Sequence, residues 1–551
     1  MKSKTSFFNT SLLRKDVVRF APAWVLYTVA LVLVFSGSIL SYDRRSVAYA
    51  LSESIGLFGV FNLGYAMLCA QLLFGDLFQS RMCNALHALP IRRESWFVTH
   101  LLAGLAFCAI PVAAAGLVFL AVLGSYWMAA LLWMAALMLQ FLFFFAVAIL
   151  SVMLVGNRFA AAVVYAILNF LAAIMLWLFT YLYQPHLYGF VIDTAPFLQF
   201  CPVVQLFLYG WFSPNKATGL VYLKDGWGYL GICALVAVAF LALGLWLYRR
   251  RALEKAGDFI VFMPTAPVFL VLYTFSAGTA LHLFSRIFVG ESTEFVFLIV
   301  GLAIGFFTGL MLLERTIRVF RGKTFARFGI LLAAFGLTLI LTILDPVGIT
   351  RWVPDSGDVK WVALETFSEY DHEEHGITDK EIIKQVLSAH QHAVDHPEEA
   401  NNGERDVTIM FTYRLKSGRT VQRQFMIDTD TLAAMTLKSV LSRPEVLFGN
   451  QYMTADDLAK ELRYIELTTD DSMMITDQEQ MRGLVEAVIA DSLAGNLCQD
   501  YMLRNKTGEG YIYMDGGMVT HPEGYDYTKG WHINFSKEAT NIQKWLKENI
   551  D

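Results

Sequence analysis

Long apolar runs fill the first 344 residues of this 551-residue chain, and they constrain its fold more than any other feature. An α-helix needs about 20 apolar residues to cross the hydrocarbon core of a bilayer. Nine runs of about that length are present, at 20–40, 54–75, two within the uncharged stretch 95–157, and 159–183, 227–248, 266–284, 295–313 and 328–344. The stretch 95–157 breaks near Gly124–Ser125–Tyr126. The chain is therefore predicted to be a polytopic α-helical membrane protein with about nine spans.

The charge balance changes where the last apolar run ends. Residues 1–344 contain 23 Lys and Arg against 12 Asp and Glu, whereas residues 345–551 contain 20 against 36. A change this sharp indicates that the chain passes from lipid to water. Residues 345–551 are therefore predicted to form an acidic, water-soluble α+β domain. With 56% hydrophobic residues and a mean hydropathy of +0.48, the whole chain is too apolar for a soluble globular protein.

Basic residues also predict the orientation of the chain. If the N-terminus is cytoplasmic, 18 of the 23 Lys and Arg in residues 1–344 fall in cytoplasmic segments. The positive-inside rule selects that orientation. An odd number of spans then makes residues 345–551 extracytoplasmic, and a miscount of one span would move them to the other side.

Two predicted segments contact the membrane without crossing it. Residues 1–19 are predicted to form a cytoplasmic amphipathic interface helix, because the segment Thr5–Phe20 mixes apolar residues with Arg14, Lys15 and Arg19. The alternative is a basic lead-in to the first span. Residues 196–212 are apolar but too short to span, which fits a re-entrant or interfacial segment. The alternative there is a buried packing loop.

The loop between the second and third spans, residues 77–95, is short, basic and predicted to be cytoplasmic. Met82, Leu86 and Leu89 follow the spacing of one helix face, and Pro90 would end that helix. A short helix with an apolar face suits docking into a groove of a partner protein. The alternative is an ordinary connector with arginines that extend to the membrane surface.

The segment with Ser80–Arg81, Asn84, Leu86–Glu94 and Thr99–His100 resembles the first cytoplasmic loop of ABC-2-type transporter permeases of Gram-positive bacteria, the Ytr-like group. In that family the loop is the coupling helix, which rests on the ATP-binding subunit. The resemblance covers residues 20–250 as a six-span core, with the amphipathic helix before it. It implies that the ATPase-docking residues are Arg81, Asn84, Leu86, His87, Leu89, Pro90, Ile91, Arg92, Arg93 and Glu94. The three additional spans in 251–344 and the domain 345–551 depart from the family plan.

The resemblance implies the permease subunit of an ATP-binding-cassette exporter in the bacterial plasma membrane. The implied partners are ATP-binding cassette subunits, a second permease copy and the lipid bilayer, and no nucleic acid. ATP would be bound by the partner, so neither a cofactor nor enzyme activity is expected here. Gly322–Lys323–Thr324 is not a P-loop, because that motif requires glycine where Ile317 stands. The alternative function is a membrane sensor or interaction protein whose outer domain binds a signal or envelope component. An envelope enzyme is weaker still, because catalytic motifs are absent.

Residues 345–551 contain two similar regions, 359–428 and 462–551. Ile377–Glu381 and Ile475–Glu479 read ITDKE and ITDQE, each as a capping box with Thr378 or Thr476 as N-cap. Strand-like runs precede and follow each predicted helix, so the domain is predicted to contain two β-α-β-β units. Helices are expected between the units at 432–441 and 454–462.

Histidines cluster in the first of these regions. His372, His375, His392 and His396 could contribute to a metal site. Because spacing alone is a weak metal signal, a solvated polar surface is the favoured interpretation, and no metal is predicted.

Overall fold

The computed structural model describes residues 8–41, 44–87, 91–192, 194–214, 220–224, 226–252, 254, 257–365, 376–397, 406–428, 431–447, 454–469, 472–497, 510–520 and 526–549. These residues form two compact units. The first contains the described parts of Met1–Phe179 and Thr194–Phe335, and the second those of Thr180–Asp193 and Gly336–Asp551.

The chain up to residue 344 is almost entirely helical where it is described. Its elements are α1 Thr10–Arg19, α2 Ala21–Ser41, α3 Arg44–Leu73, α4 Ser80–His87, α5 Arg93–Leu123, α6 Trp127–Leu154, α7 Arg158–Leu178, α8 Ala195–Leu198, α9 Pro202–Leu208, β1 Phe212–Pro214, β2 Val221–Leu223, α10 Gly226–Arg250, α11 Ala266–Phe288, α12 Glu294–Glu314 and α13 Gly322–Leu344. A π-helical turn, Phe179–Tyr183, extends α7.

Apolar helices long enough to cross a membrane make up most of this part. By length and composition there are seven in the described chain, at Arg44–Leu73, Arg93–Leu154, Arg158–His186, Gly226–Arg250, Ala266–Phe288, Glu294–Glu314 and Gly322–Leu344. The bent pair formed by α1 and Ala21–Leu33 would make an eighth. The prediction of a polytopic helical membrane protein with a C-terminal domain containing sheets is confirmed.

The segment Arg93–Leu154 folds back on itself. As one straight helix its 62 residues would measure about 93 Å, three times the hydrocarbon thickness. A 3₁₀ turn interrupts it at Gly124–Tyr126, where Gly124 has a φ of 56°. Added Cβ atoms at Gly104 and Gly116 would collide with Phe145 and Met134. In each of these two contacts, the partners lie about equally far before and after residue 125 in the sequence. Helices α5 and α6 are therefore antiparallel and in close contact.

Helix α6 lies at the centre of the first unit, and α13 lies at its edge. Eighteen side chains of α6 are buried, and it packs against α3, α5, α7 and α10. In α13 only Thr324 and Phe335 are buried. Lipid is the expected neighbour of the remaining apolar surface of α13.

The C-terminal part of the chain forms two antiparallel sheets with helices. Its elements are β3 Val359–Glu365, α14 Lys380–Asp395, β4 Asp406–Leu415, β5 Thr420–Asp428, α15 Leu432–Leu441, α16 Pro444–Leu447, α17 Ala455–Glu461, β6 Tyr464–Thr468, β7 Ser472–Ile475, α18 Gln478–Leu493, β8 Gly510–Thr520, β9 Asp526–Phe535 and α19 Thr540–Asn549. The strand orders are β3-β4-β5 and β7-β6-β8-β9. Each sheet has its own cluster of buried apolar side chains.

The two sheets follow one plan, which differs in detail from the predicted β-α-β-β unit. In the second sheet the hairpin β6–β7 precedes the helix, so the order is β-β-α-β-β. In the first sheet a single bridge, Val362 to Ile377, takes the place of the second strand. A helix follows the last strand in both, and α15 packs on α14 as α19 packs on α18.

The predicted capping residues are wrong by one position. Asp379, not Thr378, caps α14, and its carboxylate accepts from the N–H groups of Glu381 and Ile382. Asp477, not Thr476, caps α18 in the same way. Asp and Thr are both good N-caps, so sequence alone does not separate adjacent candidates.

Candidate functional site

Helix α4 is the predicted coupling helix, and it projects from the end of α3 through the 3₁₀ turn Gly75–Phe78. It buries Cys83 completely and exposes Arg81, Met82 and Asn84, with Met82 39% exposed. One face of this helix is therefore attached to the protein and another is available to a partner. Phe78, at the base of the loop, is buried.

The structure describes part of the predicted apolar face. Leu86 and His87 belong to α4, whereas Leu89 and Pro90 lie outside the described residues. Ile91 is half-buried and packs against the core, and Arg92 is exposed.

Arg251, directly after α10, holds the base of this loop. Its side chain is 2% exposed. Nη1 donates to the carbonyl oxygens of Val152 (2.8 Å) and Met153 (3.2 Å), and Nη2 donates to that of Leu77 (3.1 Å). The last carbonyls of a helix lack intrahelical donors and carry negative partial charge, so α6 ends in a site suited to a cation. Arg251 with these three acceptors is named the Arg251 clamp.

The charge of Arg251 persists despite its burial. Burial lowers the pKa of this guanidinium to about 10. At neutral pH it remains protonated, so all three hydrogen bonds are charge-assisted. The clamp therefore fixes the start of the α4 loop to the ends of α6 and α10.

Arg93 and Glu94, two of the predicted docking residues, contact the end of α10. Arg93 Nη1 donates to the carbonyl oxygens of Arg249 (3.3 Å) and Arg251 (3.1 Å). Glu94 Oε1 lies 3.0 Å from Arg249 Nε. These two residues therefore hold the far end of the loop, whereas Arg81, Asn84 and Arg92 are directed outward.

The Thr99–His100 part of the motif contacts α1. His100 Nδ1 lies 2.8 Å from Asp16 Oδ2, and both side chains are buried. The Asn9 N–H donates to Thr99 Oγ1 at 3.2 Å. Trp24 Nε1 also donates to the Val17 carbonyl oxygen. Helix α1 is therefore held in place near its start, through Asn9, and near its end, through Val17.

Three other loops lie at the same end of the first unit. The Gly156 N–H donates to the Asp258 carbonyl, and the Gly257 N–H donates back to the Gly156 carbonyl, both at 2.8 Å. Arg315 Nη2 lies 2.7 Å from Asp258 Oδ1. The loops after α6, α10 and α12 are thus joined at the end of the unit where α4 lies.

The predicted re-entrant segment 196–212 forms α8, α9 and the start of β1. A Cβ at Gly56 of α3 would lie 3.0 Å from the Phe207 carbonyl oxygen, so α9 packs closely on α3. Ser52 Oγ donates to the Phe212 carbonyl (2.8 Å) and accepts from its N–H (3.1 Å). The segment is therefore held against α3, while Phe200, Phe207 and Leu208 remain exposed.

The histidine cluster is only partly described. His372 and His375 lie outside the described residues, and the rings of His392 and His396 are 4.6 Å apart. Across the described chain, no group of three or more His, Cys, Asp or Glu is arranged to hold a metal ion.

Sequence reasoning missed Arg251. It is the third arginine in Arg249–Arg250–Arg251, a typical basic flank of a span, and nothing in the sequence distinguishes it from its exposed neighbour Arg250. Comparison of the chain with family profiles, curated proteins and solved structures found no match.

Proposed function

We propose that this protein is the transmembrane permease subunit of an ATP-binding-cassette exporter, and that a separate ATPase subunit docks on α4. The supporting observation is that α4 exposes Arg81, Met82 and Asn84 while the Arg251 clamp ties its base to α6 and α10. A helix that transmits motion from a partner must be accessible to that partner and rigidly attached to the rest of the protein. Helix α4 meets both conditions.

The clamp supplies a route for motion from the loop into the core. Displacement of α4 would move the Leu77 carbonyl, and through Arg251 the ends of α6 and α10. Helix α6 packs against α3, α5, α7 and α10, so its movement would reach most of the proposed six-span core, residues 20–250. Packed helices transmit displacement because cores are dense and poorly compressible.

The proposed topology has nine spans. The hairpin α5–α6 counts as two, the bent pair α1–α2 supplies one, and six further helices supply one each. Phe190, after α7, forms a β-bridge with Arg423 of β5. The loop after α7 and the first sheet must then lie on one side of the membrane, which requires an even number of spans between them. The four helices α10–α13 satisfy that requirement, and the positive-inside rule makes this side extracytoplasmic.

The proposed partners follow from this function. Two ATP-binding cassette subunits would supply ATP binding and hydrolysis, and a second permease copy, same or related, would complete the path. The lipid bilayer surrounds the spans. The protein would itself carry no cofactor and catalyse no reaction.

The test is purification of the full chain in mild detergent, with mass spectrometric identification of copurifying proteins. The double variant Met82→Glu with Arg92→Glu changes exposed positions and leaves Arg93 and the clamp intact. Arg318→Glu, an exposed arginine after α12, is the matched control. An ATP-binding cassette protein should copurify with the wild type and the control, and at least tenfold less with the double variant. Absence of such a protein from the wild type would overturn the proposal.

A second function, a membrane sensor, is favoured by one observation. The outer domain contacts the chain segments that follow α7 and α13 through Arg423. If no ATPase partner is found, these contacts favour the second function. The protein would then be a membrane sensor whose outer domain binds a signal or envelope component.

A further inference from the structure

Arg423 of β5 brings together three chain segments that are far apart in sequence. They are the loop 184–192 after α7, the linker 345–352 after α13, and β5 itself, all within the second unit. Arg423 is 4% exposed. A buried arginine at the edge of a sheet requires specific partners, because transfer of its charge from water is costly. These three segments at Arg423 are named the Arg423 joint.

The partners of Arg423 come from both segments outside the sheet. Its Nη2 donates to the Ile349 carbonyl oxygen at 2.7 Å. Its guanidinium carbon lies 5.7 Å from the ring centre of Phe190 and 5.5 Å from that of Trp352. Arginine over aromatic faces is attracted by the ring quadrupole. One side chain thus contacts the loop, through Phe190, and the linker, through Ile349 and Trp352.

Short-range contacts keep the loop in its place on β5. Phe190 pairs with Arg423 in an antiparallel bridge, and the Gln424 N–H donates to the Gly189 carbonyl at 3.1 Å. The rings of Tyr188 and Phe425 meet edge to face with centres 5.2 Å apart. The loop therefore covers part of the open edge of β5 through a single bridge.

The linker has its own turn. Asp345, with a φ of 41°, accepts from the N–H groups of Ile349 and Thr350, each at 2.8 Å, and from Thr350 Oγ1 at 2.7 Å. This turn presents the Ile349 carbonyl oxygen to Arg423. The linker begins at the residue after α13, so its position depends directly on the end of that helix.

The ends of α7 and α13 also touch. Tyr183, in the π-helical turn that ends α7, lies with its Oη 2.8 Å from Thr338 Oγ1 of α13. π-helical turns widen the hydrogen-bonding pattern and are frequent at functional sites. The turn that follows α7 is therefore in direct contact with the last part of α13, which leads into the linker.

The Arg423 guanidinium makes fewer hydrogen bonds than its burial would require. Within the described chain, Nε and Nη1 of Arg423 have no hydrogen-bond acceptor. Burial lowers the pKa of Arg423, and the nearby Asp345 carboxylate opposes that shift. A buried cation with one carbonyl acceptor is held less firmly than one with three. The contact is therefore suited to release.

We propose that Arg423 is the positioning residue through which the outer domain controls α7 and α13. With its guanidinium near both Phe190 and Trp352, Arg423 holds the loop and the linker together on β5. When it leaves, both segments lose their shared contact at once, the remaining bonds of each open more often, and the end of α7 becomes mobile. The control of transport by this joint rests on the proposed permease function, whereas the joint release does not.

Hydrogen exchange on the full chain in detergent micelles tests the release. In Arg423→Lys, which keeps the charge but loses the planar fork, the amides of Gln424, Phe190, Ile349 and Thr350 should exchange about tenfold faster. Amides of β6 and β8 in the second sheet should not change. Arg419→Lys, at an exposed position of the same hairpin, should match the wild type. Unchanged exchange in Arg423→Lys, or release of one segment without the other, would overturn the proposal.

Cysteine labelling tests whether the effect reaches the π-helical turn that extends α7. Leu182 is 7% exposed and Phe200 is 77% exposed. Leu182→Cys should react about tenfold faster with a membrane-impermeant maleimide when combined with Arg423→Lys, whereas Phe200→Cys should not change. Equal labelling of Leu182→Cys in both backgrounds would overturn the link to α7.

Two further variants decide the matter if Arg423→Lys unfolds the first sheet. Phe190→Ala should release the loop and leave the linker protected, and Trp352→Ala should weaken the linker first. If neither changes exchange in its own segment, the joint does not hold them. Arg423→Lys should still copurify with the ATPase subunit, since α4 is unaffected. If Arg423→Lys releases the two segments but no ATPase subunit copurifies with the wild type, the proposal for the Arg423 joint stands and the proposed permease function is wrong.

Discussion

Two buried arginines hold different regions of this protein, and they are satisfied in different ways. Arg251 in the first unit donates to three backbone carbonyl oxygens, two of them at the C-terminus of α6. Arg423 in the second unit donates to one carbonyl and otherwise lies within 6 Å of the centres of two aromatic rings. Both side chains are almost fully buried.

The difference separates a fixed attachment from a releasable one. Removing Arg251 would leave three buried carbonyls without a donor, whereas moving Arg423 leaves one. Many charge-assisted bonds suit a rigid attachment, as the proposed docking of an ATPase subunit on α4 requires. Few such bonds suit a contact that opens, as the proposal for Arg423 requires.

The largest expected effect compares the two arginines directly. Arg251→Met should lower the free energy of unfolding by about 3 kcal/mol or more, because three acceptors lose a charged donor. Arg423→Met should cost about 1–2 kcal/mol, since methionine can still pack against the rings. The measurement is unfolding of the full chain in mixed micelles, with Arg250→Met and Arg419→Met as exposed controls. Equal losses for the two buried arginines would break the comparison.

Acid should weaken the first sheet through His390. This side chain is fully buried, its Nδ1 lies 3.0 Å from Tyr413 Oη, and burial lowers its pKa to about 3. The unfolded chain takes up a proton near pH 6.5 and the folded chain does not. The neutral His390 side chain therefore contributes its full stability above pH 6.5. As the pH falls to 5, the free energy of unfolding decreases by about 2 kcal/mol.

A protease pulse during thermal unfolding of the full chain, at pH 7.5 and pH 5, measures this loss as cleavage within β4 and β5. His390→Phe should remove most of the pH dependence. His392→Gln, on the same helix but less buried, should retain it. A pH dependence that survives His390→Phe would assign the acid sensitivity to other groups.

Two glycines test how closely the loop approaches β5. Gly189 (φ 71°) and Gly418 (φ 86°) both have left-handed backbones, but only at Gly189 would a Cβ collide with the Phe425 ring. Gly418→Ala should cost about 1 kcal/mol from the backbone alone. Gly189→Ala should cost about 2 kcal/mol and expose the Gln424 amide to hydrogen exchange. Equal effects would mean that the loop is not packed tightly on the sheet.

The smallest expected effect concerns Asp345. Asp345→Asn should cost less than about 1 kcal/mol, because asparagine tolerates a left-handed backbone and keeps one acceptor oxygen. Exchange of the Ile349 and Thr350 amides measures the change. A loss as large as that of Arg423→Met would show that the charge of Asp345, rather than its turn, holds Arg423.

The sequence predicts most of the long apolar helices because length and hydropathy are local properties. The break at Gly124 and the helices α10–α13 follow directly from uncharged runs bounded by charges. The short helix α4 is also predictable, since Met82 and Leu86 have helical spacing. Neither the Arg251 clamp nor the inward direction of Arg93 is predictable, because both depend on where the ends of α6 and α10 lie in space.

The same limit applies to the C-terminal domain. Alternating residues identify β4 and β5, and the repeated ITD sequence identifies the starts of α14 and α18. The four-residue strand β7 has no alternating pattern, and only its pairing of Ile475 with Ile465 defines it. The contact of Phe190 with Arg423 joins segments so distant in sequence that no local pattern could indicate it.

The exposure of α13 has a consequence for the response of the protein to its membrane. The apolar part of this helix, residues 328–344, is about 26 Å long, slightly less than the usual hydrocarbon thickness. Because few side chains of α13 are buried, neighbouring helices restrain it little and the mismatch with the surrounding lipid acts on it directly. A change in bilayer thickness would thus shift the depth at which α13 ends at Asp345, and lipid composition alone would displace the start of the linker.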